Sequence, residues 1–272
     1  MPRPRPHPDH PLHPGAFPGP RSEPPDRTAA GLARAGSAPV APGHRPASDP
    51  AFRGRGAAVG AGAVLRPRWR GRLHLAASVA SLPAGIALCA TASSTSARIA
   101  VAVYSVTVSA VFGVSAAFHL VAWSPAGRRR MDRLDRAMIY LQIAGTYTPV
   151  SLLALDRELA IAVLAVIWAG AVAGAAIVLR QGNVRGVGLA IYMVLGWPSV
   201  IVLPFALGRV HPLGVALLLA GGAIYTAGAI MLVRRWPNPI PAVFGYHEVW
   251  HVLTIVAGAC HWSVVWYLAH TA

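Results

Sequence analysis

The sequence predicts an all-α protein, a seven-transmembrane helix bundle formed by residues 69–272. The chain is 55% hydrophobic and only 12% charged, and from Leu73 onward its charges are absent from seven long spans. Each span has at least 19 residues, and about 20 apolar residues of helix cross the hydrocarbon core of a bilayer. A soluble helix would carry a charged outward face, and these spans have none. The spans cover residues 73–97, 99–127, 137–155, 159–179, 186–208, 210–233 and 249–272.

Residues 1–68 have a different composition, rich in Pro, Arg, Gly and Ala, with no helical period of apolar residues. Such a segment cannot bury enough apolar surface to offset the entropy of ordering it. The sequence therefore predicts a disordered tail over 1–68. Its first residues lack the apolar stretch that a secretory signal requires.

The arginines predict how the bundle is inserted. The formal net charge is +15, and the excess lies in the loops and the tail, so a membrane topology explains it better than nucleic-acid binding. Short cytoplasmic loops retain basic residues, which places the N-terminus in the cytoplasm and the C-terminus outside. The expected location is the cell membrane, with the lipid bilayer as partner. Thirteen arginines fall on one side: Arg66, Arg68, Arg70, Arg72, Arg128, Arg129, Arg130, Arg133, Arg136, Arg180, Arg185, Arg234 and Arg235; Arg98, Arg157 and Arg209 fall on the other.

This topology brings polar residues from separate spans to one depth, near the cytoplasmic side. His74 opens the first span, His119 ends the second, Asp135 precedes the third, and His247 and His251 open the seventh. Ionisable groups at membrane depth are costly and usually functional. The agreement in depth predicts a common site.

The stretch FGYHEVWHVL (244–253) has the H-E-x-x-H spacing of zinc proteases. His247 and His251 share a helix face and can offer two imidazoles to one ion. A catalytic zinc site takes three protein ligands, and His119 is the natural third. Glu248 lies about 100° around the helix from His247. We interpret the motif as H-x-x-x-H with an incidental glutamate that faces the interface or a loop.

Two further residues are candidates for catalysis. Asp135 can hold a water molecule at the metal and act as general base, or it can simply pair with neighbouring arginines. Asp132 fits that second, structural reading better. Ser115 lies one turn from His119 and can bond water or substrate, or bond back to its own helix.

Three segments resemble the signature regions of the hemolysin III proteins, within the progestin and adiponectin receptor family. They are SAAFH (115–119), LDRAMIYLQIAGTYTP (134–149) and FGYHEVWHVLTIVAGACHW (244–262). The resemblance implies seven helices over about residues 66–270, with the N-terminus inside. It implies zinc ligands at His119, His247 and His251, with Asp135 and Ser115 close to the metal-bound water.

One motif departs from the family pattern. Members often have E-x-x-N-x-x-x-H entering the first helix, whereas PRWRGRLH keeps only His74 and has Pro67 and Arg70 at the Glu and Asn positions. That histidine is not a zinc ligand in the family. We interpret it as an interfacial residue or a support for the site.

Four functions remain open on this evidence. One is a zinc-dependent hydrolase that cleaves the amide of a membrane lipid, as a ceramidase does, and another is a non-enzymatic sensor or homeostasis protein with structural zinc. A cytolysin would follow from the family name, although uniformly apolar helices are poorly suited to an aqueous pore. An intramembrane zinc protease would use Glu248 in place of Asp135.

Details of the scaffold can also be predicted. Gly170 and Gly174 form G-x-x-x-G, which favours close helix approach. Pro198 and Pro204 predict kinks in the fifth span, and Pro149 in the third. His261 lies about 15 Å along the helix from His251, too far to share its ion.

Overall fold

The computed structural model describes residues 67–182 and 187–271, with side chains omitted at 187–190. This part of the chain forms eight helices, six of them long and apolar enough to cross a membrane. The all-α membrane architecture is therefore confirmed. The predicted tail lies outside the described residues, apart from Pro67 and Arg68. The helices are α1 (Arg72–Thr91), α2 (Thr95–Leu120), α3 (Pro125–Ala154), α4 (Arg157–Gln181), α5 (Val187–Gly196), α6 (Pro198–Ala206), α7 (Pro212–Arg234) and α8 (Tyr246–Thr271).

The fifth predicted span consists of two short helices rather than one. α5 ends at Gly196 and α6 begins at Pro198, because proline has no backbone N–H to continue the helix. The break leaves the Gly196 carbonyl available, and it accepts hydrogen bonds from the Tyr147 hydroxyl at 2.9 Å and the Ser199 hydroxyl at 2.7 Å. Broken helices are tolerated at membrane depth where such partners satisfy the backbone. By contrast, α3 continues through Pro149.

The order of packing places the last helix beside the first three. Consecutive long helices pack as neighbours, and α8 contacts α1, α2 and α3 as well as α7. Among the helices that contain the predicted site residues, α8 therefore packs beside each of the other three, α1, α2 and α3. Long-range packing of α8 is what can bring their side chains together.

Glycines allow the helices to approach closely. A Cβ at Gly174 would lie 2.6 Å from the Tyr140 ring of α3, and one at Gly170 would lie 2.7 Å from Leu195 of α5. The predicted packing role of this G-x-x-x-G pair is confirmed. Gly145 has the same role against Thr107, between α3 and α2.

The bundle has two ends of different character. The arginine-rich end comprises the starts of α1, α3 and α8 and the ends of α2, α4 and α7; the opposite end comprises their other termini. At the opposite end Arg209 donates to Asp156 at 2.6 Å, with both side chains largely exposed. The cytoplasmic location of the arginine-rich end stays a prediction.

Candidate metal centre

Three histidines converge at the arginine-rich end. One nitrogen from each of His119, His247 and His251 lies within 4.8 Å of the others. His119 Nε2 and His247 Nε2 are 3.0 Å apart, and the His247 and His251 ring centroids are 4.5 Å apart. His119 ends α2 and the other two open α8, so the contact between these helices creates the cluster. Imidazoles this close together can share one metal ion.

Burial differs within the cluster. His119 and His247 are half-buried, whereas His251 is only 1% exposed. His251 Nδ1 is buried and has no hydrogen-bond partner among the described residues. A buried polar atom without a partner costs free energy, so a ring in this position favours an interaction beyond those of the protein itself.

A fourth histidine supports the most buried one. The His74 ring stacks on the His251 ring, with centroids 3.7 Å apart and planes 9° apart. Phe112 packs near the His74 ring, at 5.1 Å, and His74 Nε2 is 3.2 Å from Thr254 Oγ1. The Thr254 hydroxyl also donates to the His251 carbonyl at 2.9 Å. These contacts fix the plane of His251, a role that sequence spacing could only suggest.

Ser115 and Asp135 meet beside the cluster. The Ser115 side chain is buried, and its hydroxyl interacts with the Asp135 carboxylate, which links α2 to α3. The neighbouring Arg136 forms a two-point ion pair with Asp132, at 2.9 and 3.2 Å, and also acts electrostatically on Asp135. Asp132 therefore has the structural role that its sequence position suggested.

Glu248 is a buried structural residue and not an incidental one. Its side chain is fully buried, so the expectation that it faces the interface or a loop is wrong. Arg70 Nε donates to its Oε1 at 2.5 Å, and the Gly245 backbone N–H donates to its Oε2 at 2.9 Å. The second bond satisfies a free amide at the start of α8, as a capping glutamate does. Both carboxylate oxygens are thus occupied by the protein.

The residues before α1 cover this end of the site; we call Pro67–Gly71 the lead-in segment. The Arg68 and Trp69 backbone amides each donate at 3.2 Å to the loop before α8, at Ala242 and Val243 respectively. Gly71 has φ +80, and a Cβ there would lie 2.7 Å from His119 Cβ. Only glycine combines that backbone conformation with that close approach.

A cavity of about 280 Å³ begins roughly one helical turn beyond the histidines. Ala77 of α1 and Ile255 of α8 line its near part, and Phe112 connects it to His74. The lining is mainly alkyl and aromatic and contains no charged residue. The histidine cluster therefore adjoins an apolar space inside the bundle.

Comparisons with known proteins agree with this architecture. Residues 63–262 match the family described as Haemolysin-III related. The chain is 32% identical over 206 residues to Hemolysin-3 of Bacillus cereus. The aligned region covers 73% of this chain and 90% of the relative. The chain belongs to the haemolysin III-related family.

Further relatives extend the family beyond bacteria. The Hemolysin-3 homolog of Bacillus subtilis (strain 168) is 31% identical over 132 residues, 47% of this chain and 58% of the relative. The human monocyte to macrophage differentiation factor is 28% identical over 169 residues, 60% of this chain and 68% of the relative. This mammalian similarity supports membership of the progestin and adiponectin receptor family.

This haemolysin III-related protein is a multi-pass membrane protein. The residue that departs from the family motif forms an ion pair in the structure. Arg70 occupies the expected Asn position and pairs with Glu248, 178 residues away. Sequence reasoning treated Arg70 as a topology signal and as a departure from the family motif, and no local pattern linked it to Glu248. His261 is half-buried against α7, where it packs on Gly221 and Tyr225.

Proposed function

We propose that His119, His247 and His251 bind a zinc ion and that the protein hydrolyses the amide bond of a membrane lipid. The convergence of three imidazole nitrogens within 4.8 Å carries this proposal. Catalytic zinc takes three protein ligands and keeps a fourth position open. Imidazole donors suit zinc, and among the described residues the cluster contains imidazoles only.

The surroundings of His251 support metal binding. The ring is buried and held in plane by His74, yet its Nδ1 lacks a partner among the described residues. Partners that orient a ligand in this way commonly accompany metal-binding histidines.

Asp135 is our proposed general base. A bound zinc ion supplies Lewis acidity, which makes a neighbouring water molecule easier to deprotonate and polarises a carbonyl oxygen. The Asp135 carboxylate takes the proton from that water, while the Ser115 hydroxyl holds the carboxylate in place. The hydroxide so formed adds to the amide carbonyl carbon, the C–N bond breaks, and the same carboxyl returns the proton to the departing amine nitrogen, which leaves a free fatty acid and an amine.

The neighbouring cavity supports a lipid as the substrate. An amide bond in a lipid lies between a polar headgroup and apolar chains, and the cluster likewise lies between the arginine-rich end and the apolar cavity. Burying a chain in such a cavity is favourable by about 0.8 kcal/mol per methylene group. This gain can hold the amide at the metal centre.

The contacts of Glu248 favour this reaction over the protease alternative. A protease base needs a free carboxylate beside the metal-bound reactant. Both Glu248 oxygens are engaged, by Arg70 and by the Gly245 amide. Asp135 is the carboxylate that remains for proton transfer.

The test combines metal analysis with a hydrolysis assay. The purified protein in detergent is analysed for zinc and incubated with ceramide and with a total lipid extract, and released fatty acid is measured. We expect near-stoichiometric zinc and fatty-acid release. Asp135→Asn is expected to retain zinc and lose hydrolysis by a factor of about 10²–10⁴. Glu248→Gln, the matched control, is expected to retain both.

Two outcomes would contradict the proposal. Stoichiometric zinc without turnover of any lipid amide would favour the non-enzymatic sensor. Loss of hydrolysis in Glu248→Gln together with full activity in Asp135→Asn would favour the protease-type assignment.

A further inference from the structure

A second group of polar atoms lies in the middle of the bundle, away from the histidines. Gln142 of α3 and Trp262 of α8 both line the apolar cavity. Gln142 Oε1 and Trp262 Nε1 are buried, and neither has a hydrogen-bond partner among the described residues. Buried polar atoms are nearly always paired, so two unpaired ones on residues that line the same cavity point to a ligand that pairs with them.

The hydrogen bonds of Thr146 fix which atom of the Gln142 amide is unpaired. The Thr146 hydroxyl donates its one proton to the Gln142 backbone carbonyl at 2.9 Å. It can therefore only accept from the Gln142 side chain, which contributes Nε2 at 3.1 Å. The remaining atom, Oε1, is an acceptor. Trp262 Nε1 is a donor, so the two residues that line the cavity have one unpaired group of each kind.

Both residues lie at the same depth. Trp262 is three helical turns beyond His251 on α8, which places it about 16 Å away along the axis. Gln142 is two turns beyond Asp135. Asp135 interacts with Ser115, which lies one turn beyond His119, so the path along α2 and α3 again totals about 16 Å. That distance is near the middle of a hydrocarbon core about 30 Å thick.

We propose that Gln142 and Trp262 recognise a hydroxyl group in the distal half of a lipid chain whose head lies at the histidine cluster. A hydroxyl donates to an amide oxygen and accepts from an indole N–H, so it satisfies both atoms. A plain alkyl chain leaves both unpaired, and the uncharged lining excludes an ionised group. This inference rests on the proposed function and defines the chain chemistry of its lipid.

The test measures binding rather than turnover. The detergent-purified protein is titrated with stearic acid, 2-hydroxystearic acid and 12-hydroxystearic acid in competition with radiolabelled stearic acid. We expect 12-hydroxystearic acid to bind about tenfold more tightly than the other two, since two hydrogen bonds are gained. Equal affinities for the three acids, or a preference for the 2-hydroxy acid, would overturn the inference.

Variants assign the preference to the two residues. In the double variant Gln142→Met with Trp262→Phe, we expect the preference to fall below about twofold while stearic acid still binds. Ser81→Ala is the control, because Ser81 lines the same cavity but already bonds to Ser78 and Ser109. A tenfold preference that survives in the double variant would overturn the assignment.

Metal-free protein separates this inference from the proposed function. Gln142 and Trp262 lie far from the histidines, so we expect His251→Ala to retain the preference for the 12-hydroxy acid. A preserved preference without zinc or hydrolysis would leave the binding site standing and remove the proposed reaction. Lipid hydrolysis without any hydroxyl preference would do the reverse.

Discussion

The two ends of the bundle use charged and polar groups in opposite ways. At the arginine-rich end Glu248 is fully buried, and its partner Arg70 is 24% exposed. At the opposite end Asp156 and Arg209 form a pair of similar length whose side chains are 82% and 49% exposed. Exposed pairs contribute about 0–1 kcal/mol, whereas breaking a buried pair costs several. Two Arg–carboxylate ion pairs of similar length therefore contribute differently to stability, and the buried pair is the one sensitive to substitution.

The largest expected effect is at the metal centre itself. His251→Ala removes one of three proposed ligands, so we expect zinc to be lost from the purified protein, with affinity lowered by more than about 100-fold. The measurement is zinc content after dialysis. His270→Ala, at the exposed opposite end of the same helix, is the control and should retain zinc. Unchanged zinc in His251→Ala would remove the site assignment.

Next in size is the contrast between the two ion pairs. Glu248→Ala leaves a partly buried guanidinium and a free amide at the start of α8, and we expect it to lower the free energy of unfolding by about 2–4 kcal/mol. Asp156→Ala should change it by less than about 1 kcal/mol. Thermal unfolding in detergent tests both. Equal effects at the two sites would show that burial does not distinguish these ends.

A smaller effect is expected where His74 supports His251. His74→Ala removes the stacked ring, and loss of such a support lowers metal affinity by about 10–100-fold. His74→Phe retains a ring surface and should recover part of the affinity. The readout is a zinc titration together with the visible spectrum of the cobalt-substituted protein, which reports ligand geometry. An unchanged spectrum and affinity in His74→Ala would limit His74 to packing.

The smallest effect concerns the lead-in segment. Gly71→Ala places a Cβ against His119 in a left-handed backbone conformation, and we expect a loss of about 1–3 kcal/mol in the free energy of unfolding. Gly208→Ala, where nothing lies within 4 Å of the added carbon, should be nearly neutral. Thermal unfolding again provides the comparison. A neutral Gly71→Ala would mean that the segment moves aside readily.

The fold could be predicted from the sequence because membrane helices are recognisable from local length and hydropathy. Span length and missing charge sufficed for the helices, and Pro198 predicted a kink at the point where the structure has a break. The three-histidine cluster was also within reach, since helical spacing links His247 to His251 and depth links them to His119. The fifth span was predicted as one kinked helix because its residues form a single apolar stretch, whereas the structure has two short helices there.

What sequence could not supply were contacts between distant segments. The pairing of Arg70 with Glu248 and the stacking of His74 on His251 join α8 to residues near α1, 178 and 177 positions earlier. No periodic pattern specifies such neighbours; they arise when α8 packs beside α1. The expected exposure of Glu248 was wrong for the same reason.

The backbone bonds of the lead-in segment have a practical consequence for shortened versions of this protein. Truncation just before Pro67 would preserve the two backbone hydrogen bonds to Ala242 and Val243. It would also preserve the ion pair between Arg70 and Glu248 and the tight turn at Gly71. Truncation at Leu73 would delete all three and expose the histidines to bulk solvent from that side. A few residues outside the first membrane crossing thus mark the shortest N-terminal boundary compatible with an intact histidine cluster.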